Sequence, residues 1–373
     1  MSLMLPSESS SARSVVGVAD DLFAALRGES PSLPRAESVV LVVIDGLGAI
    51  ALRQHAGHAR ALTAGMAKKD VATSVFPSTT AAALTSILTG VWPGVHGLVG
   101  YRVLDPSRDA LVNQLTGWES EGLDPMTWQS APTVFERARV EDRRAFAVGV
   151  AAYAGSGFTR ATLRGADFVA AQTPAERVEA AYELAERHPG SLVYCYLPEV
   201  DKAGHRHGVD SRAWIAALEE IDAALALRVP TGVGVVVTSD HGMVDVPAHR
   251  QVVLEADHLR GVRHLGGEPR MLHAYVEPDA AADEIVERWR RDLDRLADVV
   301  TRREAIDAGL FGPDVSDAAS SRIGDVLVVS RGAVAVYDGT AADQRNRGMV
   351  GQHGALTAEE RQVPLLRRGA FAR

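Results

Sequence analysis

Between Ser38 and Ile44 the chain reads Ser-Val-Val-Leu-Val-Val-Ile, the pattern of a strand buried on both faces. The run breaks at Asp45-Gly46-Leu47-Gly48, a polar turn where a central strand meets its loop. A second extended stretch, Val71 to Phe76, stops at Pro77, since a residue before proline is held extended. Thr80 to Thr89 then fits a helix, closed by Gly90 with Pro93 beyond it. Ala145 to Ala152 and Ser191 to Leu197 read as further buried strands. Between them Thr173-Pro174-Ala175-Glu176 forms a capping box, opening a helix that ends near His188-Pro189-Gly190. Ser211 to Arg228 places Trp214, Leu218, Ile221 and Leu225 on one helical face. Val233 to Thr238 is again apolar and leads into Ser239-Asp240-His241-Gly242. This alternation predicts an α/β fold with a mainly parallel central sheet and helices on both faces.

The pattern changes between Leu254 and Asp343. A strand-like Met271 to Val276 precedes a charged helix over about Ala282 to Leu296, and two short strands follow near Asp325 to Ser330 and Ala333 to Tyr337. The expected division is an α/β core of residues 1–253 and 344–373 with a small α+β insertion at 254–343, the chain rejoining the core near Gly351.

Charge narrows the function classes. Lys+Arg total 39 against 48 Asp+Glu, a formal net charge of -9 in 373 residues. A binder of nucleic-acid backbones carries a basic surplus, so that class is set aside. A single cysteine, Cys195, excludes a disulfide scaffold and sits in an apolar strand as a core residue. No apolar run approaches the ~20 residues of a membrane span, so no membrane partner is expected. The Ser-rich N-terminus lacks an apolar signal segment, and the expected location is cytoplasmic. Oligomeric state leaves no mark in the pattern.

Candidate chemistry gathers at strand ends. Asp45 closes one strand, Asp201 and His205 follow another, and Asp240 and His241 follow a third, while His353 lies in Gly351-Gln352-His353-Gly354. Sites in open α/β sheets assemble at the carboxyl ends of strands, so these residues can converge across the chain. Asp201 and His205 are four apart, which puts both on one side of a helical turn. Three carboxylates and three imidazoles suit Zn²⁺, with Mn²⁺ or Fe as alternatives. Thr80 opens the helix after Phe76-Pro77-Ser78-Thr79, where unpaired N–H groups favour an anion. The plain reading is that Thr79 or Thr80 caps the helix; beside a dication Thr80 becomes a nucleophile.

Taken together these stretches resemble the alkaline phosphatase superfamily, most closely its type I phosphodiesterase/nucleotide pyrophosphatase branch. The resemblance rests on Val43-Ile44-Asp45-Gly46, Phe76-Pro77-Ser78-Thr79-Thr80, Leu88-Thr89-Gly90 with Pro93 and His96-Gly97, Asp201 with Gly204-His205, Ser239-Asp240-His241-Gly242, and His353-Gly354. It implies two zinc ions, one on Asp45, Thr80, Asp240 and His241, the other on Asp201, His205 and His353. It also implies hydrolysis of a small phosphorylated substrate, a phosphate diester or pyrophosphate of nucleotide type, through a phospho-threonine on Thr80. The chain departs from the family in two places. Ala81-Ala82-Ala83 replaces its usual Phe-Pro-Asn, and its phosphate-contacting Asn falls at Tyr101. Tyr101, or Asn113 a little further on, is the expected substitute at the substrate.

Within the same chemistry a phosphomonoesterase or phosphonate hydrolase is the alternative reading; outside it stands a silent metal-binding regulatory protein, whose signature, a lost ligand or nucleophile, is absent. His96 is expected to brace the loop after the Thr80 helix and His207 to be solvated or to support a ligand. Arg270, in Gly266-Gly267-Glu268-Pro269-Arg270, is expected as an exposed turn residue.

Overall fold

The computed structural model describes residues 13–342 and 345–372. Most of the polar N-terminal stretch lies outside them. The apolar run at Ser38–Ile44 is the fourth of seven strands in one sheet. In spatial order these are Val71–Thr73, Gln362–Gly369, Val233–Thr238, Ser38–Ile44, Leu192–Leu197, Ala145–Gly149 and Asp167–Ala170. The five strands from Val233–Thr238 onward in that order are mutually parallel; Gln362–Gly369 runs antiparallel to both its neighbours.

Both faces of the central strand are apolar because both are covered. Val39, Leu41 and Val43 enter a core with Leu84, Ile87 and Leu88 of the helix Thr80–Thr89, and with Leu22 and Phe23 of the helix Val18–Arg27. Val40, Val42 and Ile44 enter a second core with Val178 and Tyr182 of Pro174–Arg187 and Trp214, Leu218 and Ile221 of Arg212–Leu225. Residues of period two thus feed opposite layers. Every residue of Thr80–Thr89 is buried, and its small Ala81, Ala82 and Ala83 let neighbours close around it.

A second, antiparallel sheet is built from Val262–Glu268, Met271–Val276, Val326–Ser330 and Ala297–Thr301, in that order. The helix Ala282–Asp292 covers it with Ile285, Val286 and Trp289. This sheet falls inside the expected insertion, yet it shares a core with segments of the expected α/β core: Met271, Leu327 and Phe311 pack in one cluster with Phe76, Leu98 and Val103. Among the described residues no helix is long and apolar enough to cross a membrane.

Several elements differ from the sequence reading. The strand expected to Ala152 ends at Gly149, and Val71–Thr73 is shorter than the extended stretch read to Phe76. The expected Ala333–Tyr337 strand is Ala335–Asp338, which pairs with Gln251–Leu254 outside the second sheet.

Arg270 is the sharpest correction. Instead of an exposed turn residue it is fully buried, its Nε and Nη2 donating to Glu360 Oε1 and Oε2 at 2.7 and 2.8 Å. Burial acts to raise Glu360, but the Arg270 charge and hydrogen bonds prevail and hold it below its ordinary value of 4.5. The pair ties the second sheet to the segment that follows His353. Removing one partner strands a buried charge, so Arg270→Met is expected to cost about 3–5 kcal/mol, read from urea unfolding. The contribution of Glu360 is complete above pH 4.5 and is lost as pH falls below it.

Candidate active site

Sheet register brings the ligand-type residues to one edge. Val43 pairs with both Tyr196 and Thr238, so Asp45 and Asp240, each two residues beyond its strand partner, leave the sheet side by side. The helix Glu199–His207 starts just past the neighbouring strand and carries Asp201 and His205 on one side. Gly46 makes this approach possible: its φ is +73°, and a Cβ there would lie 2.9 Å from Asp201 Cα. His353 arrives from the far end of the chain, anchored by Ser78.

The side chains converge. His205 Nε2 lies 3.3 Å from Asp201 Oδ1 and 3.2 Å from His353 Nε2. His241 Nε2 lies 3.4 Å from Asp45 Oδ1, 3.5 Å from Asp240 Oδ2 and 3.1 Å from Thr80 Oγ1. Donor atoms of Asp201, His205 and His353 all fall within 4.8 Å of one another, as do those of Asp45, Asp201 and His241. All seven residues read from the sequence as ligands or nucleophile therefore meet in one cluster.

Hydrogen bonds orient each group toward the cluster centre. The Nδ1 atoms of His205, His241 and His353 face the carbonyls of Gly351, Gly242 and Ser78 at 2.8, 3.1 and 2.9 Å. A carbonyl only accepts, so each Nδ1 carries a proton, which leaves each Nε2 aimed inward as the ring's ligand atom. Two of these Nε2 atoms, on His205 and His353, face each other across 3.2 Å. Asp240 Oδ1 accepts from the N–H groups of Gly46 and His241 at 3.3 and 3.0 Å, while Oδ2 is left without a partner. Asp45 Oδ2 accepts from the Tyr196 hydroxyl, while Oδ1 has none. Asp201 Oδ1 is likewise buried and unpartnered.

Such an arrangement is costly by itself. Burial pushes Asp45 well above the ordinary carboxylate range, and the charges of Asp240 and Asp201 push it further. Burial also raises Asp201. His353 is driven well below the ordinary imidazole value by burial, then by His241 and His205. Three orphaned carboxylate oxygens facing three imidazole Nε2 atoms form a mixed O/N donor set that could hold metal ions.

The cluster opens into a cavity of about 700 Å³, lined at this end by Asp45, Thr80, Asp201, His205 and His353. Tyr101 lines it too. Asn113 does not: its side-chain oxygen accepts from the N–H groups of Leu115 and Thr116, both at 2.9 Å, and it is Leu115 and Thr116 that reach the cavity. His96 braces the loop after the Thr80 helix, with Nε2 2.9 Å from Ser86 Oγ and Nδ1 accepting from Leu98 N–H. His207 is exposed, and Cys195 is buried in the core.

Two site residues were not read from the sequence. Tyr196 supports Asp45; its signal was weak, one of two tyrosines in an otherwise apolar strand. Glu268 lines the cavity, with Oε2 accepting from Tyr101 N–H at 3.0 Å and Oε1 buried without a partner. Burial pushes its carboxyl up to about 8. It approaches closely because residue 354 is glycine, where a Cβ would lie 2.7 Å from Glu268 Cγ.

A mainly parallel sheet with an O/N donor cluster at its carboxyl edge and a hydroxyl at a helix start defines an alkaline phosphatase-like α/β protein. The chain belongs to the type I phosphodiesterase/nucleotide pyrophosphatase family, whose model matches residues 39–356. It is 25% identical over 311 residues to an ectonucleotide pyrophosphatase/phosphodiesterase of Caenorhabditis elegans, covering 77% of this chain and 34% of the relative. An uncharacterised pyrophosphatase/phosphodiesterase of Schizosaccharomyces pombe is 24% identical over 195 residues, 48% of this chain and 39% of the relative. The matches thus span little more than a third of those proteins. Among solved structures, murine ectonucleotide pyrophosphatase/phosphodiesterase 5 superposes with a TM-score of 0.67 at 17% identity, covering 89% and 88% of the two chains. Phosphonoacetate hydrolase from Sinorhizobium meliloti, bound to phosphonoformate, gives 0.68 at 21% identity, covering 90% and 91%. At these identities the structural likeness speaks for the fold.

Proposed function

We propose that the chain is a two-zinc hydrolase of small phosphate diesters or pyrophosphates that uses Thr80 as its nucleophile. The observation that carries this reading is the meeting of Thr80 Oγ1 with six ligand-type residues whose buried carboxylate oxygens lack any other partner. Asp45, Thr80, Asp240 and His241 would hold one ion, and Asp201, His205 and His353 the other. Bound there, two Zn²⁺, or Mn²⁺ or Fe in their place, neutralise phosphoryl charge and acidify hydroxyl and water.

The protein's own groups do the rest. Thr80 is the first residue of its helix, so the first-turn amides and the dipole draw the phosphoryl group to its hydroxyl. Thr80 Oγ1 attacks phosphorus, and the bond to the departing alcohol or phosphate oxygen breaks as the Oγ1–P bond forms. Water then cleaves Oγ1–P, returning the Thr80 hydroxyl and releasing a phosphate monoester. The fixed Nδ1 bonds of the three histidines hold their rings in place through both halves of the cycle.

The test compares bis(p-nitrophenyl) phosphate, p-nitrophenyl phosphate and phosphonoacetate on zinc-loaded protein. Faster turnover of the diester is expected; preference for either of the others would replace this reading with a monoesterase or phosphonate hydrolase. Tyr196→Phe supplies a subtler check. Losing the donor that fixes Asp45 is expected to raise the zinc Kd by about 10–100-fold, measured by competition with a chromogenic chelator.

A further inference from the structure

Gln352 stands immediately before His353 in the chain, and the hydrolytic cycle gives its side chain no work. The residue is 2% exposed, yet it lines the cavity together with Tyr337, Asn346 and Met349. Glu268 and Gly266, at the tip of the second sheet, line it as well.

Neighbouring groups fix the orientation of the Gln352 amide. Its Nε2 lies 3.4 and 3.3 Å from the Asn346 and Met349 carbonyls and 3.3 Å from the Tyr337 hydroxyl. Carbonyls only accept, so the amide nitrogen, and not the oxygen, belongs on that side. Oε1 is thereby turned away from all three. It accepts no hydrogen bond from any described residue, and it is not sealed from water as the orphaned carboxylate oxygens are. The surface it keeps opens on the cavity. A ligand that fills the cavity strips water from this oxygen, and the loss is recovered only if the ligand brings a donor.

The surroundings select the kind of donor. Lys202 and Arg102 line the same cavity, and any cation held beside His353 adds to their charge. An ammonium group would be repelled there, whereas an uncharged hydroxyl would not.

We infer that Gln352 Oε1 accepts a hydrogen bond from a hydroxyl on the substrate's ester group, so that the enzyme favours phosphate diesters of hydroxylated alcohols over their alkyl counterparts. This inference rests on the hydrolase reading above and gives that site a specificity-determining residue.

The experiment measures calorimetric Kd values of bis(2,3-dihydroxypropyl) phosphate and dipropyl phosphate on zinc-loaded Thr80→Ala protein. Both ester groups of each compound are alike, so a hydroxyl reaches Gln352 whichever group lies beside it. The hydroxylated diester is expected to bind about tenfold more tightly, the scale of one hydrogen bond whose absence leaves a buried acceptor unpaired. Adding Gln352→Met or Gln352→Lys is expected to bring the ratio of the two Kd values near one. The lysine variant still offers donors to the Asn346 and Met349 carbonyls but has no acceptor. A ratio of two affinities on one protein also cancels any general weakening of the site. Equal affinities on Thr80→Ala protein, or a preference that survives both substitutions at Gln352, overturn the inference. Turnover of bis(p-nitrophenyl) phosphate by the parent protein reports separately on the hydrolase reading. Failure there overturns that reading, and the Kd ratios still decide the role of Gln352.

Discussion

Thr80→Ala is expected to lower kcat/KM for bis(p-nitrophenyl) phosphate by about 10³-fold or more, the scale on which removing a nucleophile acts. The substitution removes a hydroxyl and a methyl at a position 7% exposed, where the helix already runs on through Ala81, Ala82 and Ala83. Alanine has the best helix propensity, so the fold is expected to survive with an unchanged circular dichroism spectrum. The side chain of Thr79, the residue before the helix, makes no capping hydrogen bond, so no cap is lost with Thr80. A drop in rate with an intact fold would then assign the loss to chemistry. Thr80→Ser, which keeps the hydroxyl, is expected to restore part of the rate.

Removing metal is expected to have a comparably large effect, on both activity and stability. Without a cation, Asp45 and Asp201 are raised by burial, and the paired Nε2 atoms of His205 and His353 face each other uncompensated. An ion binding only the folded chain stabilises it by about 4 kcal/mol when its free concentration is ~1,000-fold above Kd. Chelation should therefore abolish hydrolysis and lower Tm, and added zinc should reverse both. Asp201 reaches toward both donor groups, so Asp201→Ala is expected to lower zinc content and to blunt the zinc-dependent rise in Tm. Metal analysis and a melting curve check this directly. A Tm indifferent to zinc in the parent protein would contradict it.

The parts of this fold that were legible were those where one physical signal dominates. Ser38–Ile44 and Val233–Thr238 are apolar on both faces, so strand, burial and parallel neighbours followed together, and the polar residues just beyond them marked the sheet edge. Val262–Glu268 escaped notice because Arg263, His264 and two glycines erase any alternation; it is a strand because Met271–Val276 pairs with it. Gln362–Gly369, with Pro364, Arg367 and Arg368, is a strand for the same reason: Val233–Thr238 supplies its partner. Tertiary context overrides local pattern in such segments.

The site divides in the same way. Asp45, Asp240 and His241 could be located because each ends a recognisable strand, and Asp201 and His205 because their spacing is helical. Arg270 was misread because its partner, Glu360, lies 90 residues away and nothing local announces the pair. Glu268 and the lining of the cavity were invisible for a related reason. A cavity is a property of several distant elements, here the Thr80 helix, the Ala145–Gly149 strand and the tip of the second sheet, and no short stretch of sequence encodes it.

Acid-quenched mass spectrometry of zinc-loaded protein during turnover of bis(p-nitrophenyl) phosphate tests the central claim most directly. The account predicts a p-nitrophenyl phosphoryl adduct on the peptide that carries Thr80, absent from Thr80→Ala and from chelated protein. Steady turnover with no adduct on that peptide, together with full activity in Thr80→Ala, would contradict it.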